Sequence, residues 1–268
     1  MGSGIAQVSA ASGILTSLYD INETVITSAK QKFEAAFQTL VDKQKIPAEE
    51  KNSILKKINF ISDIRQCVAD LVIEAIAENL DSKTALFRRL SEINSNDTIF
   101  ATNTSSLSVS RIAADVSHPE RIAGMHFFNP APVMLLVEIV KAAQTSEYVI
   151  ERLVALAKQL RKVPVVCRDV PGFIVNRVAR PYYIESLRLA EEGIADFESI
   201  DRVLEARGFK LGPFKLMDLI GNDVNYMVSC SVYEQLLQPE RLKPSYIQKQ
   251  KVEKGEFGRK TGKGYYNY

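Results

Sequence analysis

Cysteine and histidine are scarce in this chain, and the scarcity narrows its chemistry. Cys67, Cys167 and Cys230 are its three cysteines, odd in number and far apart. That pattern fits reduced, packing thiols and argues against a disulfide framework or a zinc site. Only two histidines are present, and no cluster of residues has metal-ligand spacing. No apolar run reaches the roughly 18 residues needed to cross a bilayer. The N-terminus lacks a charged region followed by a hydrophobic core, so a cytoplasmic protein without membrane contact is expected. Nor is one sign of charge in excess: 34 Lys and Arg face 32 Asp and Glu, a net of +2. The two signs are interspersed, which reads as solvated surface rather than a nucleic-acid face. There is no internal repeat and no low-complexity segment. What remains is an ordinary chain of 268 residues, 46% hydrophobic, long enough for one large domain or two smaller ones.

Taken in order, the chain alternates. Residues 2–13 pattern as a helix rich in alanine, with Gly13 as its stop. Residues 14–19 read as a strand ending in Asp20, residues 21–43 as a long amphipathic helix, and Pro47 opens another helix. Strands follow at 58–61, 70–76 and 98–102, with a helix over 82–93 between the last two. Asn103, Thr104, Ser105 and Ser106 then stand just past a strand end, where open α/β sheets bind ligands; for Ser106 and Ser108, helix capping is the preferred reading. A helix over 147–161 and a strand over 164–167 complete an α/β pattern. At Asp169-Val170-Pro171-Gly172 the pattern changes, and almost everything beyond is helical by period. A helix over 173–192 is expected to be buried and kinked at Pro181. The division predicted is 1–169 and 170–268.

The first helix carries its own signal. A helix N-terminus at Gly2, then a strand, then an acidic residue 18 positions on at Asp20 match the second half of a dinucleotide-binding βαβ unit. Gly2 takes the place of the third glycine in that fingerprint. The first strand and the first two glycines are missing, which would leave neighbouring strands with unpaired backbone facing a gap. The expectation is therefore a Rossmann-like domain lacking its first strand, in a chain truncated from a longer protein.

Residues 121–138, RIAGMHFFNPAPVMLLVE, hold the most unusual pattern. Residues 121–128 read as one strand, and Asn129-Pro130-Ala131-Pro132 can turn the chain back. The run Val133-Met134-Leu135-Leu136-Val137 has no polar alternation and reads as a strand buried on both faces. Glu138 ends that run, and a buried carboxylate without a partner costs several kcal/mol. His126 is the natural partner. A carboxylate fixing one imidazole nitrogen leaves the other for general-base work near neutral pH. The bland alternative, a satisfied core histidine beside a structural carboxylate, stays open on these residues alone.

The motifs MGSGIAQ, VIEAIAENL, NTSSLS, RIAGMHFFNPAPVMLLVE, PGFIVNR, GFKLGPFKLMDLIG and KTGKGYY, in this order over the whole chain, resemble the short-chain L-3-hydroxyacyl-CoA dehydrogenase family. The resemblance implies an α/β NAD-binding domain followed by an all-helical domain that binds substrate and forms a homodimer. It implies that His126 is the catalytic base and that Glu138 orients it. Ser105 would hold the substrate's 3-oxygen and Asn176 would help to place the substrate. Asp20 would take the adenosine ribose of NAD, beside the Gly2 turn, and its charge would repel the 2′-phosphate of NADP. Glu78, Lys83 and Asn103 would lie on the ribose and nicotinamide side. Lys43 would lie near the CoA nucleotide, although Ala36 stands where some relatives have a polar contact. For Lys83 and Lys43 the competing reading is a solvated helix lysine. Tyr265 and Tyr266 read as packing residues of the helical domain.

The implied reaction is oxidation of a (3S)-3-hydroxyacyl-CoA to the 3-oxoacyl-CoA. Its proton goes to an imidazole, and its hydride goes to the nicotinamide, since no side chain can take one. Arg180-Pro181-Tyr182-Tyr183 resembles the branch linked to phenylacetate breakdown, which points to 3-hydroxyadipyl-CoA, with 3-hydroxybutyryl-CoA as the other candidate substrate. Arg180 could meet a distal carboxylate or could brace the helix kink. Two other classes stay open: an inactive acyl-CoA-binding protein that has lost its pyrophosphate turn, and a subunit that only dimerises.

Overall fold

The computed structural model describes residues 1–268. They divide into two compact units, Met1–Asp169 and Val170–Tyr268. The first unit runs α1 (Gly2–Ala11), β1 (Thr16–Tyr19), α2 (Glu23–Asp42), α3 (Ala48–Leu55), β2 (Ile58–Ile61), β3 (Leu71–Glu74), α4 (Leu80–Ile93), β4 (Ile99–Thr102), α5 (Val109–Ala114), β5 (Ile122–Phe127), β6 (Leu136–Lys141), α6 (Glu147–Gln159) and β7 (Val163–Arg168). Helices begin where a short polar side chain can take an orphan amide. Asn22, Asn79, Ser108 and Ser146 each accept such a bond at the start of α2, α4, α5 and α6.

Strands β3 to β7 form one sheet in sequence order. Every pair in it is parallel except β5 and β6. Strands β1 and β2 form a parallel pair of their own. Helix α1 links the two sheets: Ile5 packs with Ala101, Ala123 and Met125, while Ala6 and Ala10 pack with Phe33, Phe37 and Ile58. Its small residues allow this, because each sheet's core reaches the helix from a different side. The β5–β6 hairpin closes tightly at Gly124, opposite Val140. A Cβ there would sit 2.7 Å from the Val140 Cβ, nearer than two carbons can approach, so only glycine fits.

One expectation holds only in part. Of the apolar run 133–137, residues 133–135 are not strand: β6 begins at Leu136, and Val133 and Leu135 are 69% and 61% exposed. The amides of Val133 and Met134 both donate to the Pro130 carbonyl, which keeps the chain turning. The buried Lys162 ammonium donates to the Ala131 and Met134 carbonyls at 2.6 and 2.8 Å and pins the turn in place. Apolar composition predicts a strand only where the backbone is free to pair, and the Val133 and Met134 amides are already bonded within the turn.

The second unit is helical, with α7 (Val175–Glu191), α8 (Phe197–Ala206), α9 (Pro213–Ile220), α10 (Asn222–Gln235) and α11 (Tyr246–Glu253). Tyr183, Leu187, Ile200, Phe214 and Met217 form a core against which Tyr265 and Tyr266 pack. Two buried aspartates dock the C-terminal tail. Asp218 accepts from the amides of Tyr265 and Tyr266 and from the Tyr268 hydroxyl. Asp201 accepts from the amides of Phe214 and Lys215 and from the Tyr266 hydroxyl. The basic, aromatic terminus is thus packing material. Helix α7 starts later than its periodicity predicts, because Phe173 sits at φ +46. It runs through Pro181 and leaves Val178 71% exposed, so it is amphipathic rather than buried all round.

Candidate active site

The antiparallel register of β5 and β6 puts His126 directly opposite Glu138. Cross-strand neighbours share a face of the sheet, so the two side chains meet: Nδ1 of His126 and Oε2 of Glu138 are 2.8 Å apart. His126 is 5% exposed and Glu138 fully buried. A carboxylate can only accept, so Nδ1 carries the shared hydrogen, and acid–base work falls to Nε2. The Phe128 ring packs beside the imidazole with centroids 4.5 Å apart. Cys167 is no rival nucleophile. Burial, with the charges of Glu138 and Asp169, pushes its thiol up to about 12.

Ser105 lies in the loop after β4, and Glu78 holds that loop. Oε1 of Glu78 accepts from the Thr104 hydroxyl at 2.6 Å, from the Ser105 and Ser106 amides at 2.9 and 3.1 Å, and from the Ser106 hydroxyl at 3.0 Å. Burial alone would raise the Glu78 carboxyl. The Thr104 bond, the Lys83 charge and the loop donors outweigh it and hold the group below its ordinary range. Ser108 caps α5 as expected, whereas Ser106 caps no helix and instead donates its hydroxyl to Glu78.

Lys83 is not the solvated lysine that a helix position suggests. Its side chain is 1% exposed and pairs with Glu74 at 2.6 Å and Glu78 at 3.3 Å. The sequence reading missed Glu74 and Thr102. The one signal for Glu74 was a carboxylate inside the apolar run Val72-Ile73-Glu74-Ala75, the same oddity that drew notice at Glu138. Asn103 joins the site from below: its Oδ1 accepts the Phe127 amide at 2.8 Å and ties β4 to β5 next to His126.

The residues proposed for a dinucleotide also suit one. The N-terminus of α1 has no side-chain cap and no acidic residue in its first turn. Its orphan amides and positive dipole end are therefore suited to a pyrophosphate. Asp20 ends β1, with Oδ1 accepting the Asn22 amide at 2.9 Å, so the carboxylate is held in a fixed direction. Lys43 stands apart in character, exposed at the C-terminal end of α2.

In the second unit, Asn176 lies in the first turn of α7, and its carbonyl accepts Nε of Arg180 at 3.0 Å. Arg180 is 3% exposed. Its Nη1 donates to the Asn225 carbonyl and the Ser229 hydroxyl, and its guanidinium lies over the Tyr183 ring. Of the two roles open to Arg180, bracing the helix is the one the structure shows. A distal substrate carboxylate would find it covered.

Comparison with known proteins gives the family. The family described as 3-hydroxyacyl-CoA dehydrogenase, NAD binding domain, matches residues 1–170, and that described as 3-hydroxyacyl-CoA dehydrogenase, C-terminal domain, matches residues 172–268. The chain is 46% identical to the 3-hydroxyadipyl-CoA dehydrogenase of Escherichia coli over all of its own length but 57% of that protein. It is 41% identical to the mitochondrial hydroxyacyl-coenzyme A dehydrogenase of Sus scrofa, covering 100% of this chain and 88% of the relative. The crystal structure of (S)-3-hydroxybutyryl-CoA dehydrogenase from Ralstonia eutropha superposes with a TM-score of 0.96 at 35% identity, covering 100% of this chain and 95% of that one.

Proposed function

Because the chain belongs to the 3-hydroxyacyl-CoA dehydrogenase family, we propose that it oxidises a (3S)-3-hydroxyacyl-CoA to the 3-oxoacyl-CoA with NAD. The observation that carries this reading is the buried His126–Glu138 pair at 2.8 Å. In the forward direction Nε2 of His126 takes the proton of the C3 hydroxyl, and Glu138 stabilises the imidazolium that forms. A bound NAD would supply the acceptor for the hydride leaving the same carbon. In reverse, the imidazolium returns the proton to the developing alkoxide. Ser105, fixed by Glu78, holds the 3-oxygen, and Asn176 helps to place the substrate. Gly2 and Asp20 serve the pyrophosphate and the ribose. The donors on Glu78 and the ion pairs of Lys83 favour a supporting role for both over direct ribose contact. Lys43 serves the CoA nucleotide.

The proposed substrates are 3-hydroxyadipyl-CoA and 3-hydroxybutyryl-CoA, which the similar enzymes are named for. The test is NADH consumption with acetoacetyl-CoA, followed by comparison of the two hydroxyacyl-CoA esters in the oxidative direction. Turnover supports the reading. Tight acyl-CoA binding with no turnover would make the chain a binding protein instead.

The helical unit is proposed to form a homodimer, supported by Val178, Val203, Leu219, Val224 and Met227, all exposed. Sedimentation at micromolar protein should then give twice the 29.9 kDa chain mass, and a monomer would sink the idea. The proposed setting is the cytoplasm, supported by three free thiols. No helix is long and apolar enough to cross a membrane.

A further inference from the structure

Beneath the Ser105 loop lies a closed ring of buried polar groups. Glu74, at the end of β3, is 3% exposed and receives three donors. Lys83 Nζ and the Ile76 amide reach its Oε1, and the Thr102 hydroxyl reaches its Oε2, each at 2.6 Å. The Thr102 oxygen in turn accepts the Thr104 amide at 3.2 Å. The Thr104 hydroxyl donates to Glu78 Oε1 at 2.6 Å, and Lys83 closes the ring on Glu78 Oε2 at 3.3 Å. The members come from the end of β3, the loop before α4, the first turn of α4, the end of β4 and the loop beyond it.

One buried ammonium is shared here between a buried carboxylate, Glu74, and a part-exposed one, Glu78. Removing either carboxylate's charge changes where the lysine is drawn, because a buried charge must find its counter-charge nearby. With Glu74 ionised, Lys83 is held at 2.6 Å on the strand side and reaches Glu78 at longer range. Oε1 of Glu78 is then left to the Thr104 hydroxyl and the Ser105 and Ser106 amides. Without that charge, Lys83 has Glu78 alone and pulls it away from the loop.

We propose that Glu74 is a positioning residue for catalysis: by holding Lys83 and Thr102 it sets Glu78 under the Ser105 loop and so fixes the Ser105 hydroxyl. The inference rests on the dehydrogenase reading, in which Ser105 contacts substrate. It assigns work to a buried carboxylate whose bonds go to Lys83, Thr102 and the Ile76 amide.

The experiment compares Glu74→Gln and Thr102→Val with the parent in two readouts. One is amide hydrogen exchange at Ser105 and Ser106, and the other is kcat and KM for NADH and acetoacetyl-CoA. In Glu74→Gln the two amides should exchange roughly ten-fold faster while the β5–β6 hairpin stays protected. Its kcat should fall about ten-fold or more, with KM for NADH within about two-fold of the parent. Thr102→Val keeps the ion pair and the side-chain shape, so it should fold even where Glu74→Gln does not, and it should shift both readouts in the same direction. Thr102→Ser, which retains the hydroxyl, should restore them. An active parent whose variants keep loop protection and kcat overturns this inference alone. So does a kcat loss that only follows lost NADH affinity, which would place Glu74 in the cofactor pocket. An inactive parent overturns the dehydrogenase reading beneath it.

Discussion

A carboxylate inside an apolar strand is expensive at the scale of the single residue, and this chain contains two. Glu138 faces an imidazole across a hairpin, and Glu74 faces a lysine. The first was legible in the sequence, because a histidine stood on a neighbouring strand and a Pro-bracketed turn could bring them together. The second was not. Its partner Lys83 sits on a helix, where a lysine reads as surface, and only the fold shows that this turn of α4 packs over strand ends. Glu78 gives a prediction with a definite sign. Its carboxyl is held below the ordinary 4.5, so its contribution is full above that value and is lost as pH falls through the lowered one. Unfolding free energy measured by urea at pH from about 5 down to about 3 should therefore decline less steeply in Glu78→Gln than in the parent. Equal slopes would mean that the loop donors add nothing to the folded state.

Among the elements, the β5–β6 hairpin decides the site. Its strands could be read from β-branched and apolar residues, and its register follows from the turn. The exposed stretch Val133 to Leu135 could not be read, since the Val133 and Met134 amides go to Pro130 and the Met134 carbonyl to Lys162, and only the Leu135 carbonyl reaches a neighbouring strand, at the Val163 amide. The helix starts were legible for the opposite reason: Asn22, Asn79, Ser108 and Ser146 act locally, within three residues. Gly124 tests the hairpin. Gly124→Ala would bring a methyl to 2.7 Å from the Val140 Cβ and 3.1 Å from the Val109 Cγ2, forcing β5 and β6 apart beside His126 and Glu138. Overpacking of this kind costs about 1–3 kcal/mol, and the melting temperature should fall by several degrees. A change of less than about 1 °C would show that the hairpin yields without strain.

For the whole molecule, the order of elements announced an α/β unit followed by a helical one. The family comparisons bear out the fold class, the NAD-binding first domain and the enzyme class. The sequence implied a gap beside the missing first strand, and the first unit is divided there into two sheets; what it could not supply was that α1 packs against both, because that depends on which side of a small-residue helix each core approaches. Nor could it show how the tail is held, since Asp201 and Asp218 act over 65 and 47 residues of chain. In both cases the decisive contacts are long-range, and local pattern carries no trace of them.

The central claim is that the His126–Glu138 pair moves the proton of an NAD-linked alcohol oxidation. The most direct measurement is NADH consumption with acetoacetyl-CoA by the parent and by His126→Gln, alongside NADH affinity from fluorescence titration. The account predicts a parent that turns over and a variant whose kcat is lower by about 10²–10⁴ with NADH affinity unchanged. A variant within a few-fold of an active parent would contradict it, because the imidazole would then be packing and the proton would leave by another route.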